Sequence, residues 1–167
     1  YRRGKVTPVA ISPLIRESIE RRYPHLPGTV PVIVNGVDTA RFVPPAERRP
    51  HRPFRFIFVA RFSPQKNHTL LLDAFALAKK RNPALSLCLV GEGELRDALQ
   101  RQAETQGLSA SVAFAGSVKN VEEYLRRSDG FVMSSDYEGL PLSVIEAMAT
   151  GLPVVSTRAG GVADLVE

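Results

Sequence analysis

Ser134-Ser135-Asp136-Tyr137-Glu138-Gly139-Leu140-Pro141-Leu142-Ser143-Val144-Ile145-Glu146-Ala147-Met148-Ala149-Thr150-Gly151 is the stretch that decides how this 167-residue chain is read. An apolar strand, Gly130-Phe131-Val132-Met133, runs into it, and a small polar turn follows. Pro141 stands where a helix begins, because its missing N–H costs nothing at the first helical position. Leu142, Ile145, Met148 and Ala149 form an apolar stripe at helical spacing. Gly151-Leu152-Pro153 ends the helix, and Val154-Val155-Ser156-Thr157 starts a strand. The turn between a parallel strand and its helix opens at the carboxyl edge of the sheet, where open α/β folds bind ligands. There the free N–H groups of Gly139, Leu140, Leu142 and Ser143 form a seat for phosphate or hydroxyl oxygens. Glu138, in the turn, is placed to accept hydrogen bonds from a polyhydroxylated ligand. Glu146, a little over one turn into the helix, is placed to face the same crevice from its side. On the residues alone, however, Glu146 also reads as an exposed helix charge.

Outward from this unit the pattern alternates strand and helix. Strands are expected at Phe56–Ala60, Leu85–Val90 and Val112–Ala115, and a further one over 153–157. Helices are expected from Asn67 to Arg81, with Leu70, Leu71, Phe75 and Ala78 inward, from Leu95 to Gln106, from Val121 to Arg127, and from about Val162. Such alternation specifies an α/β fold with a doubly wound parallel sheet, Rossmann-like. Before it, Val6–Ser12 and Val30–Val34 read as strands. Between them a helix runs to Arg22, capped by Ser12 with Pro13 first. Residues 43–54 hold four prolines and read as a connector rather than a helix or central strand. Residues 1–42 are then the tail of one domain and 55–167 most of a second. Because the chain begins at Tyr1 and stops inside an expected helix, it is read as a piece of a longer protein, incomplete at both ends.

At 44% hydrophobic and 23% charged residues, the chain is ordinary for a globular domain. A single cysteine, Cys88, in an apolar run, rules out a disulfide framework, reads as a buried small hydrophobe and fits a reducing, cytoplasmic setting. No apolar run reaches membrane-spanning length. The net charge is +5, with Arg2, Arg3, Lys5, Arg21, Arg22, Arg48, Arg49, Arg52 and Arg55 clustered in loops and helix faces. Without aromatic interleaving or a nucleic-acid module, that excess does not point to DNA or RNA. It reads first as a solvated basic surface, then as attraction to an anionic ligand or an anionic membrane.

Two cations, Arg61 and Lys66, lie in the turn after the first strand of the alternating region, placed to straddle a diphosphate and stabilise a leaving group. Gly91-Glu92-Gly93 reads first as a tight turn and more weakly as a phosphate loop. Asp136 reads as a turn cap. Of the histidines, His25 and His51 lie in loops, and His68 reads as first-turn helix surface beside Lys66, in reach of a phosphate. No His/Cys/Asp set has metal-ligand spacing, so no metal is expected.

The string Glu138-Gly-Leu-Pro…Glu146-Ala-Met-Ala-x-Gly151-Leu-Pro-Val-Val…Gly160-Gly161 resembles the donor-binding motif of retaining GT-B glycosyltransferases, specifically the large family 4 group. Asn35-Gly36-Val37-Asp38 resembles the signature that ends their acceptor-side domain, and Arg61…Lys66 resembles their Gly-Arg-Leu…Lys motif, with Ala60 in place of glycine and Phe62 in place of leucine. The resemblance implies that residues 55–167 are a GT-B donor domain that binds a nucleoside-diphosphate sugar and transfers its hexose to an acceptor hydroxyl, with no further cofactor. It implies catalytic roles for Glu138, Arg61 and Lys66, with Arg61 and Lys66 on the pyrophosphate and Glu138 by the sugar. It places Glu146 on the ribose hydroxyls, Gly91 beside the nucleotide, Val118 at the base through its main chain, and Gly139, Leu140, Pro141 and Leu142 in the donor-binding loop. The acceptor, a glycan, lipid or small molecule, would be met through the acceptor-side domain, as would any contact with the inner face of a membrane. The chain by itself is expected to bind nucleotide without turnover. A non-catalytic nucleotide-sugar-binding or scaffolding module, and a related GT-B epimerase, are the alternatives; a phosphorylase would need a pyridoxal-phosphate lysine for which there is no motif.

Overall fold

A computed structural model describes residues 7–26, 30–47 and 53–165. The basic residues Arg2, Arg3, Lys5, Arg48, Arg49 and Arg52, together with Val6 and His51, lie outside the described residues. Five strands, β1 (Phe54–Val59), β2 (Leu85–Val90), β3 (Val112–Gly116), β4 (Gly130–Met133) and β5 (Val154–Ser156), form one sheet in the order β3-β2-β1-β4-β5. Every pairing is parallel. The first strand therefore sits in the middle, and Ile57, Phe58, Leu89 and Phe131 around it are fully buried. Continuous apolar runs are what a parallel sheet covered on both faces requires.

Helices α1 (Pro13–Arg22), α2 (His68–Arg81), α3 (Arg96–Thr105), α4 (Val121–Arg126) and α5 (Leu142–Ala149) complete the fold. The chain steps one way along the sheet through α2 and α3, and the other way through α4 and α5. Right-handed crossovers then put the two pairs on opposite faces. The direction reverses between β1 and β4, which makes the carboxyl ends of those two strands the topological switch point.

Several boundaries and faces differ from the sequence expectations. The expected strands at Val6–Ser12 and Val30–Val34 reduce to a single parallel bridge, Ala10 with Val32. Pro8 and Pro31 have no N–H with which to extend the ladder. Phe54, assigned to the connector, is the first residue of β1 and pairs with Leu85. In α2 the buried positions are His68, Leu72 and Phe75, while Leu70 points to solvent at 46% exposure. In α5 Val144 and Ala147 are buried, whereas Leu142 and Met148 are exposed. Both helices are apolar on more than one side, so periodicity alone does not choose which stripe turns inward. Pro141 is the residue before α5 rather than its first, with φ −73° and ψ 113°. The helix expected from Val162 is a short 3-10 turn, Gly160–Asp164.

Candidate functional site

The loops after β1 and β4 meet at the switch point, joined by five cross-links. The backbone N–H of Asp136 donates to the carbonyl of Gln65 at 2.9 Å, and Gln65 Nε2 donates to the carbonyl of Tyr137 at 2.8 Å. Asn67 Nδ2 donates to Asp136 Oδ1 at 2.7 Å, and Ser134 Oγ donates to the Lys66 carbonyl at 2.9 Å. At the centre Lys66 Nζ contacts Glu138 Oε1 at 2.6 Å, with the lysine side chain 22% and the glutamate side chain 7% exposed. Asn67 adopts the left-handed conformation, φ 46°, and its side chain accepts the N–H of Leu70, so one residue both turns the loop and caps α2. Asp136 is thus a cross-loop acceptor rather than a cap of its own turn.

The N–H groups of Gly139 and Leu140 donate no hydrogen bond among the described residues. Leu142 and Ser143 open α5, where N–H groups have no intrahelical partner. Free N–H groups of this kind, in the loop whose Glu138 holds the Lys66 ammonium, are the donor set from which an anion seat is built. Glu138 lies next to it and accepts from Lys66. Arg61 leaves β1 on the same rim, but its side chain is 73% exposed and pairs with Glu94 of the next loop at 3.1 Å. Glu146 is half-buried on α5. Burial pushes its carboxyl above the usual carboxylate range, against an opposing pull from Arg41 and with repulsion from Glu122. Hence Lys66 and Glu138 converge in direct contact, Glu146 is influenced by the charges of Arg41 and Glu122, and Arg61 stands at the rim on another partner, Glu94. Val118, between β3 and α4, is half-buried, and its backbone groups make no hydrogen bond among the described residues.

Gly91 acts through its backbone. It has φ +143°, and an added Cβ would lie 1.9 Å from the Ala60 carbonyl oxygen. Gly160 and Gly161 press in the same way on the carbonyls of Glu138 and Gly139, where an added Cβ would come within 1.9 and 2.1 Å. These three glycines fix the two site loops against their neighbours. A Gly91→Ala variant is therefore expected to lose about 2–3 kcal/mol of stability in urea unfolding. An unchanged unfolding midpoint would show that the contact is soft.

His68 is not surface. It is fully buried, its ring stacked on Phe58 at 4.8 Å and edge-on to Phe62 at 4.9 Å. Sequence reasoning also assigned no task to Asn35, Arg41, Gln65 or Asn67. Only the Asn35-Gly36-Val37-Asp38 string flagged any of them.

A family model described as glycosyl transferases group 1 matches residues 40–167. The chain is 36% identical over 149 residues to the putative glycosyltransferase EpsF of Bacillus subtilis, an alignment covering 84% of this chain and 37% of that protein. It is 33% identical over 140 residues to a glycogen synthase of Mycobacterium tuberculosis, covering 82% and 34% respectively. Against both, the chain spans well under half the relative's length. Among solved structures, an S. aureus TarM mutant in complex with fondaparinux, α-GlcNAc-glycerol and UDP has a TM-score of 0.83 at 25% identity, covering 95% of this chain and 31% of that one. Anabaena HepE in complex with UDP and glucose has a TM-score of 0.77 at 26% identity, covering 95% and 46%.

Proposed function

The chain belongs to the glycosyl transferases group 1 family, and from that membership we propose that it carries the donor-binding side of a retaining transferase that moves a hexose from a nucleoside-diphosphate sugar to an acceptor hydroxyl. The observation that carries this reading is the Lys66–Glu138 pair at 2.6 Å, set at the switch point beside the first turn of α5. In the reaction the bond from the sugar's anomeric carbon to the diphosphate breaks, and its electron pair leaves with the diphosphate. A bond from the same carbon to the acceptor oxygen replaces it on the same face, and the acceptor hydroxyl's proton passes to the departing diphosphate. Negative charge thus grows on the departing oxygen. Lys66, the α5 N–H groups and, once swung from Glu94, Arg61 take that charge without a metal or further cofactor. Glu138, already holding Lys66, has an oxygen left to accept a sugar hydroxyl. Glu146, one turn into α5, receives the ribose hydroxyls.

On this reading residues 1–42 end an acceptor-side domain, the connector follows, and the donor side starts with β1. The acceptor, a glycan, lipid or small molecule, meets that other domain, and the enzyme works in the cytoplasm or at the inner membrane face. No helix of the described residues is long and apolar enough to cross a membrane. Calorimetric titration of the chain with UDP, GDP and ADP is the test. Saturable binding of at least one is expected, with UDP, the nucleotide in the TarM and HepE complexes, tried first, and with no acceptor-dependent turnover. No heat from any of the three, with circular dichroism still showing the folded chain, would sink the donor-site reading.

A further inference from the structure

Asn35 and Arg41 stand six residues apart in a segment with no place in the reaction just described. Each reaches into a different loop of the site. Asn35 Nδ2 donates to the carbonyl of Leu140, in the β4–α5 loop, at 3.2 Å. Arg41 spreads its fork over the junction of the β3–α4 loop with α4: Nε and a terminal nitrogen donate to Oε2 of Glu122, in the first turn of α4, at 2.9 and 2.7 Å, and the terminal nitrogen also donates to the carbonyl of Lys119, in the loop, at 2.9 Å. The stretch is tied down from Asp38 onward. Asp38 accepts the N–H of Ala40 on its side chain at 2.9 Å and that of Phe42 on its carbonyl at 2.9 Å. Phe42 then anchors the end in the sheet's core, 5% exposed, and Arg126 donates to the Arg41 carbonyl from α4 at 3.3 Å.

The Arg41–Glu122 pair is an open one, the arginine side chain 46% exposed. Exposed pairs add little stability. A fork that also grips a backbone carbonyl nonetheless fixes where that loop lies. We infer that Asn35 and Arg41 are positioning residues for the nucleotide, a strut that ties the diphosphate seat at one end to the ribose-and-base end at the other. This inference rests on the donor-site reading above. The direction of the nucleotide follows from placement. On the donor-site reading the diphosphate sits at Lys66 and the ribose at Glu146, which is close enough to Arg41 and Glu122 to be influenced by both charges, so a nucleoside extending past Glu146 meets the end of the loop that Arg41 holds.

The test compares two ligands on the chain and its variants by calorimetry: UDP, which spans both ends, and inorganic pyrophosphate, which occupies one. Arg41→Ala and Arg41→Lys are expected to weaken UDP about tenfold while leaving pyrophosphate and the melting temperature unchanged. Asn35→Ala, which removes the donor to the Leu140 carbonyl while the other cross-links of the β4–α5 loop stay, is expected to weaken both ligands by a smaller factor. The lysine variant keeps the charge and loses only the fork, so it separates positioning from simple electrostatics. Arg41 variants that bind UDP like the parent chain, or that lose both ligands in equal proportion, overturn the inference, as does an Asn35→Ala variant with both affinities intact. A parent chain that binds neither ligand instead sinks the donor-site reading, and the strut with it.

Discussion

Lys66→Ala is expected to remove nucleoside-diphosphate binding almost entirely and to destabilise the empty protein at the same time. The ammonium sits 2.6 Å from a glutamate whose side chain is 7% exposed. Deleting it strands a carboxylate that water hardly reaches. Breaking a fully buried pair costs about 3–5 kcal/mol; with the lysine 22% exposed, water moderates this to about 2–3 kcal/mol. The diphosphate loses its central cation, and affinity should fall about a hundredfold or more. Removing Glu138 as well should restore part of the stability but none of the binding. Arg61→Ala supplies the contrast. Its partner Glu94 is 50% exposed, so stability should stay within about 0.5 kcal/mol of the parent, while diphosphate affinity falls about tenfold. Urea unfolding and calorimetry on the same samples read both. A Lys66→Ala chain with unchanged stability and unchanged UDP affinity would remove the pair from the site.

The second large effect is acid sensitivity from the core. Burial, and behind it the nearby Lys66 charge, lowers the His68 imidazole from 6.5 to about 4. Neither ring nitrogen has a hydrogen-bond partner among the described residues, so the ring stacks as an apolar plate and folding favours its neutral form. The unfolded chain takes up a proton at about pH 6.5, the folded one only near pH 4. The stability this residue contributes is therefore complete above the unfolded value and is lost as pH falls toward the folded one. At about 1.4 kcal/mol per pH unit, the loss reaches about 3 kcal/mol near pH 4. His68→Phe keeps a ring between Phe58 and Phe62 and removes the titration. Its urea midpoint should decline far less between pH 7 and pH 4 than that of the parent. Carboxylates titrate in both proteins, so the difference between the two curves is the readout, and parallel curves would contradict the assignment.

The architecture was legible because each strand of a sheet covered on both faces is a short, continuous apolar run closed by a turn residue. The core of β1 from Phe56, Leu85–Val90 and Gly130–Met133 announce themselves in that way, whereas Phe54, set between Pro53 and Arg55, reads as connector. The rotation of α2 and α5 was not legible, since runs such as His68–Leu72 and Leu142–Ala149 offer two apolar stripes. The family likeness and loop placement put Lys66 and Glu138 on one rim, with Lys66 on the pyrophosphate and Glu138 by the sugar, and did not foretell their direct contact. The supporting bonds of Gln65, Asn67 and Asp136 reach 69 to 72 positions along the chain, and nothing local encodes such a distance. Arg61 was expected on one rim with Lys66, yet it leans to Glu94, because an exposed side chain takes the nearest countercharge. His68 was misplaced because a polar residue at a helix start normally faces water; its neighbours Phe58 and Phe62 arrive from other elements.

The cross-linked loops and the glycine contacts beneath them also bear on how quickly a ligand settles. Backbone pressed on backbone has no side-chain rotamers to rearrange. A rim laced by five bonds moves as one plate rather than as separate flaps. Apart from Arg61, which has to leave Glu94, a nucleotide would thus drop into a mould cast in advance, and little ordering entropy would be charged against its arrival. Capture would then be limited by diffusion and orientation, with no slow folding-over of the rim behind it.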